Sequence, residues 1–111
     1  MSGLVSQGIR DLVKRAISDN KVMVFSKSYC PFCIRAKDLL DDINVNYKAI
    51  ELNDHQDGEA IQQALAELTK QTTVPNIFIN QRHVGGSDAL KAAYQSGQLT
   101  QWLKEANIQL K

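Results

Sequence analysis

The stretch that decides the fold is Lys21-Val22-Met23-Val24-Phe25, followed after a short gap by Cys30-Pro31-Phe32-Cys33. Its first five residues are mostly apolar, β-branched or bulky, and the spacing predicts a buried strand. Beyond the cysteines, Ile34, Ala36, Leu39, Leu40 and Ile43 recur at roughly helical intervals. The two cysteines are the only ones in the chain, and they fall at a strand-to-helix junction. Pro31 suits a first helical turn, because its missing N–H has no intrahelical partner to lose. Cys30 therefore falls near the N-cap, where free backbone N–H groups and the helix dipole favour a thiolate. Thiols in such settings reach pKa values of roughly 3.5–7.5, against about 8.5 when free. Lys27, three residues upstream, is expected to add a cation on the same side. Cys30 is thus expected to attack, and Cys33, one turn later, to resolve.

Two other uses of a C-x-x-C pair fit less well. Structural zinc needs about four ligands, and the only histidines, His55 and His83, are far apart and poorly spaced. A static disulfide here would close a very short loop, for little entropic gain.

Working outward, Val5, Ile9, Leu12, Val13, Ala16 and Ile17 form one stripe of a helix expected over residues 3–19. Asp41 to Asn44 break the helix after the cysteines. Residues 45–52 read as a second strand, with Val45, Tyr47 and Ala49 on one side and Ile50 and Leu52 toward the other, covered on both faces. Strand, helix and strand in sequence predict a right-handed crossover and parallel pairing. Ile61, Ala64, Leu65 and Leu68 mark a third helix, preceded by a polar turn in which His55 is an exposed turn or capping residue. Asn76 to Ile79 form a strand behind Pro75. Asn80-Gln81 predicts a two-residue hairpin turn into a short edge strand, Arg82 to Gly85. Gly85-Gly86-Ser87-Asp88 opens a helix that Gly97 ends, and Leu99, Trp102, Leu103 and Ala106 stripe a last one. The pattern implies an α/β domain with a four-stranded mixed sheet flanked by helices, its first strand central. The reactive pair belongs at that strand's carboxyl end.

The chain has 111 residues, 43% hydrophobic and 23% charged, with a formal net charge of +1. That length fits one compact domain spanning 1–111. The weak charge gives no case for nucleic acid or an anionic membrane. No apolar run approaches the roughly 20 residues needed to span a bilayer. The N-terminus lacks a secretory core and a myristoylation start. Two cysteines this close together point to a reducing compartment, so a cytoplasmic location is expected; the chain is also expected to be a monomer.

Three stretches, Lys27-Ser28-Tyr29-Cys30-Pro31-Phe32-Cys33, Thr73-Val74-Pro75 and Gly85-Gly86-Ser87-Asp88, resemble in order and spacing those of a dithiol glutaredoxin. The resemblance implies a thioredoxin-like fold with Pro75 cis and facing the nucleophile. It implies glutathione as co-substrate, with no metal. It implies a binding groove made by Lys27, Tyr29, Gln71, Thr73, Val74, Pro75, Gly86, Ser87 and Asp88. In that groove the Val74 backbone pairs with the cysteine moiety of glutathione like an added strand. Lys27 and Gln71 reach the glycine carboxylate, and Ser87 and Asp88 hold the γ-glutamyl end. Partners would be glutathionylated or disulfide-bonded proteins. Three positions depart from the common pattern: Phe32 for tyrosine, Gln71 for arginine, and Ala89 for a second aspartate. A thioredoxin would carry tryptophan before the first cysteine and glycine after it, unlike Tyr29 and Pro31. The alternative function is an iron–sulfur carrier or sensor, two chains bridging a [2Fe–2S] cluster with glutathione; Pro31 stiffens the site against it.

Overall fold

The computed structural model describes residues 5–108. The elements run α1 (Gln7–Asp19), β1 (Val22–Ser26), α2 (Pro31–Asp42), β2 (Lys48–Glu51), a 3₁₀ turn (Leu52–Asp54), α3 (Gly58–Thr69), β3 (Asn76–Ile79), β4 (Arg82–Gly85), α4 (Ser87–Ser96) and α5 (Gln98–Glu105). The sheet order is β2-β1-β3-β4, with β1 parallel to β2 and the other pairs antiparallel. This is the expected four-stranded mixed sheet, with β1 in its interior.

The period of two in β1 explains the layers. Val22 and Val24 enter a core with Ala36 and Leu40 of α2, Ile77 and Ile79 of β3, Leu90 of α4 and Leu103 of α5. Met23 and Phe25 enter a second core, with Val13 and Ile17 of α1, Ile61 and Leu65 of α3, and Phe78. Helices thus cover both faces of the sheet. The turn Asn80-Gln81 has φ of +50° and +67°, the doubly left-handed pattern that matches strand twist in a tight hairpin.

Three boundaries differ from the sequence expectation. Helix α1 starts at Gln7, because Ser6 caps it by accepting from the Ile9 N–H at 3.2 Å. Residues 3 and 4 of the expected helix lie outside the described residues. Strand β1 runs one residue later than expected and ends at Ser26. Strand β2 keeps only four of eight expected residues. The Val45 N–H instead bonds the Leu40 carbonyl at the end of α2 (2.9 Å), and Leu52 enters the 3₁₀ turn. Its faces divide as expected, Tyr47 and Ala49 toward one core, Ile50 and Leu52 toward the other. β2 nonetheless lies at the edge of the sheet, with Lys48 exposed.

Candidate active site

Cys30 is the N-cap of α2, with extended backbone at φ −84° and ψ 119°. Its Sγ accepts from the Cys33 N–H at 3.3 Å, the bond a capping oxygen would normally make. The Cys30 thiol also lies 3.8 Å from the Val74 carbonyl, as a donor to it. Cys30 is half-buried and Cys33 is 0% exposed; both are free thiols. Asn53 braces the loop before them, accepting from the Ser28 N–H at 3.0 Å and donating to the Ser28 hydroxyl at 2.8 Å.

The two sulfurs are electrostatically unlike. Burial pushes the Cys30 thiol up, but hydrogen bonds from the Cys33 side chain and from the Cys33 and Phe32 N–H groups outweigh it, assisted by the Lys37 charge, so its pKa lies below the ordinary thiol value. Burial also acts on Cys33, and with the hydrogen bond to Cys30 it raises that thiol to about 11. At neutral pH the accessible sulfur is thus the better nucleophile and the buried one holds its proton.

The leading cation acting on Cys30 is Lys37, not the expected Lys27. Lys27 contributes main chain instead: its carbonyl accepts from the Cys30 N–H at 3.1 Å, and its own N–H favours ionisation of Cys33. Sequence reasoning missed Lys37, although its position four residues after Cys33 placed it on the same helix face. It also missed Glu51, which binds Lys37, and Ser26, which donates to Glu51 and neighbours it in the β1–β2 register.

The other two stretches converge on Cys30. The Val74–Pro75 peptide bond is cis. Among the described residues, the Val74 N–H and C=O make no backbone–backbone hydrogen bond. They form an open edge beside the thiol, of the kind an extended peptide can extend. Gly86 packs close to Pro75: a Cβ on it would stand 3.7 Å from the Pro75 carbonyl oxygen. Gly86 caps α4 without a side-chain bond, with half-buried Ser87 and exposed Asp88 following. The first-turn N–H groups of α4 are therefore free of side-chain capping, a suitable seat for a carboxylate. Asp88 is not the helix cap.

Gln71 behaves differently from its implied role. Its Nε2 donates to the Thr73 carbonyl at 3.0 Å and to the Pro75 carbonyl at 2.9 Å. Both amide hydrogens brace the Pro75 loop, so reaching a carboxylate would mean giving one up. Tyr29 is 68% exposed beside the nucleophile, and Thr73 is exposed on the same loop as Val74. Phe32 is exposed and covered by the Arg35 guanidinium, 5.3 Å from the ring centre. A cavity of about 610 Å³ between α1, α3 and the hairpin includes neither cysteine. Among the described residues no group of three or more His, Cys, Asp or Glu side chains could hold a metal ion.

Comparison with known proteins agrees with this geometry. A family model described as Glutaredoxin matches residues 22–84. A glutaredoxin of Solanum lycopersicum is 52% identical over 93 residues, 84% of this chain and 86% of the relative. Glutaredoxin-C2 of Arabidopsis thaliana is 46% identical, covering 84% of each chain. Among solved structures, a buckwheat glutaredoxin–glutathione complex superposes with a TM-score of 0.90 at 38% identity, covering 93% of this chain and 94% of that one. A wheat glutaredoxin gives 0.87 at 44% identity, over 95% and 98%.

Proposed function

This chain belongs to the glutaredoxin family and is an oxidoreductase, and from that premise we propose that it uses both thiols to reduce protein–glutathione mixed disulfides and protein disulfides at the expense of glutathione. The observation that carries this reading is the Cys30 sulfur at the start of α2, its pKa held below that of Cys33, beside a Val74 backbone that makes no backbone–backbone hydrogen bond.

The reaction is thiol–disulfide exchange. The Cys30 thiolate attacks the glutathione sulfur of a mixed disulfide, and the protein thiolate leaves. Cys30 is then joined to glutathione. A second glutathione thiolate attacks the sulfur of the bound glutathione, releases glutathione disulfide and returns Cys30 to its thiolate. With a protein disulfide, Cys33 loses its proton and displaces the substrate thiolate, closing the Cys30–Cys33 disulfide. Two glutathiones then reopen it.

The groove supports recognition of a tripeptide with two carboxylates and one ammonium. The Val74 N–H and C=O would pair with the cysteine moiety. The uncapped start of α4 at Ser87 would take the γ-glutamyl carboxylate, and Asp88 its ammonium. Lys27 would take the glycine carboxylate, Tyr29 and Thr73 lining the groove. Gln71 acts first on the loop it braces. Lys27→Ala and Asp88→Ala are each expected to raise KM for a glutathionylated peptide by about three- to tenfold, with kcat changed less. The test is steady-state turnover of that peptide with glutathione and glutathione reductase as the only electron source. Wild-type turnover supports the reading; none, or a KM unmoved in both variants, refutes it.

Cys33 favours exchange over sharing of a [2Fe–2S] cluster. It lies one turn from Cys30 and fully buried, placed to resolve a mixed disulfide. A cluster bridged by two chains would use only the outer cysteine with glutathione. Visible absorbance after anaerobic purification would favour the cluster.

A further inference from the structure

Behind the cysteines lies a polar relay that the exchange reaction, as written, leaves without a part. Ser26 ends β1, is 0% exposed, and pairs with Glu51 in the β1–β2 register. Its hydroxyl donates to one Glu51 carboxylate oxygen, and Lys37 Nζ binds the other at 2.9 Å. The Lys37 and Glu51 side chains are only 18% and 24% exposed. Lys37 follows Cys33 by four residues on α2, so the two side chains share a helix face. With both carboxylate oxygens occupied, the ammonium is held in one place instead of ranging through solvent.

We propose that Lys37 is a positioning residue for thiol–disulfide exchange, anchored by Glu51 and Ser26 so that its charge stays behind Cys33 and favours the thiolate of the resolving cysteine. The proposal deepens the exchange reading above and rests on it. In the resolving step Cys33 gives its proton to solvent. Its thiolate then attacks Cys30 Sγ. The Cys30–Cys33 bond forms, the bond from Cys30 to the substrate sulfur breaks, and the substrate departs as a thiolate. The dithiol is oxidised by two electrons and the substrate disulfide is reduced by the same two.

Cys33 needs such help more than Cys30. Cys30 has the first N–H groups of α2, whereas the main-chain donor favouring Cys33 ionisation is the Lys27 N–H. Lys37 favours the thiolate at both sulfurs. The groups facing Lys37 are Glu51 from β2, Tyr47 from the segment before it, and Cys33 from its own helix. Asp41 and Asp38 of α2 in turn face Tyr47. Burial opposes both charges of the ion pair, yet the bonds from Ser26 and Lys37 hold Glu51 below the usual carboxylate range, and Glu51 holds Lys37 above the usual ammonium range. Burial and the nearby aspartates push Tyr47 up, so it stays neutral. At neutral pH the ion pair of the relay therefore stays charged on both sides.

The test uses an aromatic disulfide reagent, dithiobis(nitrobenzoate), and needs no glutathione. Attack by Cys30 releases one coloured thiolate, and attack by Cys33 on the resulting mixed disulfide releases the second. Lys37→Met is expected to slow the second release about three- to tenfold at neutral pH, to slow the first less, and to displace the second step's pH profile upward. Lys37→Arg should restore the wild-type profile. Should Lys37→Met fold poorly, the Lys37→Met/Glu51→Gln pair leaves no unpaired carboxylate and should move the profile in the same direction by less. A Lys37→Met profile superposing on wild type would overturn the proposal. So would slowing that persists unchanged above the pKa of Cys33, or no rescue by arginine. Failure of wild type to turn over glutathione mixed disulfides would remove the proposed function, while the two releases would still decide the role of Lys37.

Discussion

Replacing Cys30 by serine is expected to lower turnover of a glutathione mixed disulfide by at least about a thousandfold, while Cys33→Ser keeps a substantial part of it. The asymmetry follows from the positions of the two sulfurs. Cys30 caps α2, is partly exposed, and has the main-chain donors of Phe32 and Cys33 to stabilise its charge. A serine hydroxyl there could still cap the helix, so the fold should survive and the loss should fall on chemistry. Cys33 is buried with a pKa raised to about 11, and it cannot open the reaction. Serine at that position still supplies the backbone N–H that bonds the Cys30 sulfur. For protein disulfides the order changes, because without Cys33 the mixed disulfide must wait for an external thiol. Steady-state assays of both variants on both substrates check this. Equal loss in the two variants on the glutathione substrate would mean that the attacking and resolving roles are misassigned.

The second large effect concerns folding. Gly58→Ala is expected to cost about 3 kcal/mol or more and to lower Tm on the order of 15 °C. Gly58 opens α3 directly against the 3₁₀ turn that ends β2. A Cβ there would stand 1.8 Å from the Leu52 carbonyl oxygen and 2.8 Å from its carbon. Those are backbone atoms of a buried residue, so no side chain can swing aside. The chain must instead separate α3 from β2, loosening the core formed by Ile61, Leu65 and Leu52. Gly8→Ala is the internal contrast. It lies in α1, where the nearest atom to a new Cβ is the Ser6 hydroxyl oxygen at 3.7 Å, and there alanine should be neutral or stabilising by up to about 1 kcal/mol. Thermal unfolding of both variants checks the pair. A Gly58→Ala protein that melts with wild type would show that the close approach is absent in solution.

These two residues mark what the sequence reveals and what it hides. The strand before Cys30, the helix after it, and Pro31 at the first helical position are local patterns, and local physics places the nucleophile. The alternation in β1 and the striping of the helices likewise give the layers and the interior position of β1. Gly58 carries no such pattern. Its constraint comes from a carbonyl six residues away in the chain, brought close only when β2 docks. The early end of β2 is hidden for a similar reason: Val45 and Leu52 are strand-like residues whose backbones bond elsewhere. Ser6 was legible in principle, as a serine before an apolar stripe, but the apolar residue ahead of it extended the expected helix. In the site, Lys27 lies close to Cys30 in sequence and draws attention to itself. Lys37 acts through the relay, and that relay depends on the register of Ser26 against Glu51. Gln71 can be placed near the site by resemblance, but its grip on the Thr73 and Pro75 carbonyls is a matter of three-dimensional reach.

The most direct test of the central claim is an absorbance titration of thiolate formation in the reduced wild-type protein. Two separate steps are expected. One, assigned to Cys30 by its loss in Cys30→Ser, should fall below the ordinary thiol range. The other, from Cys33, should appear near 11. A single transition of both sulfurs around the ordinary value, or a lower step that survives in Cys30→Ser, would contradict the assignment of Cys30 as the ionised nucleophile.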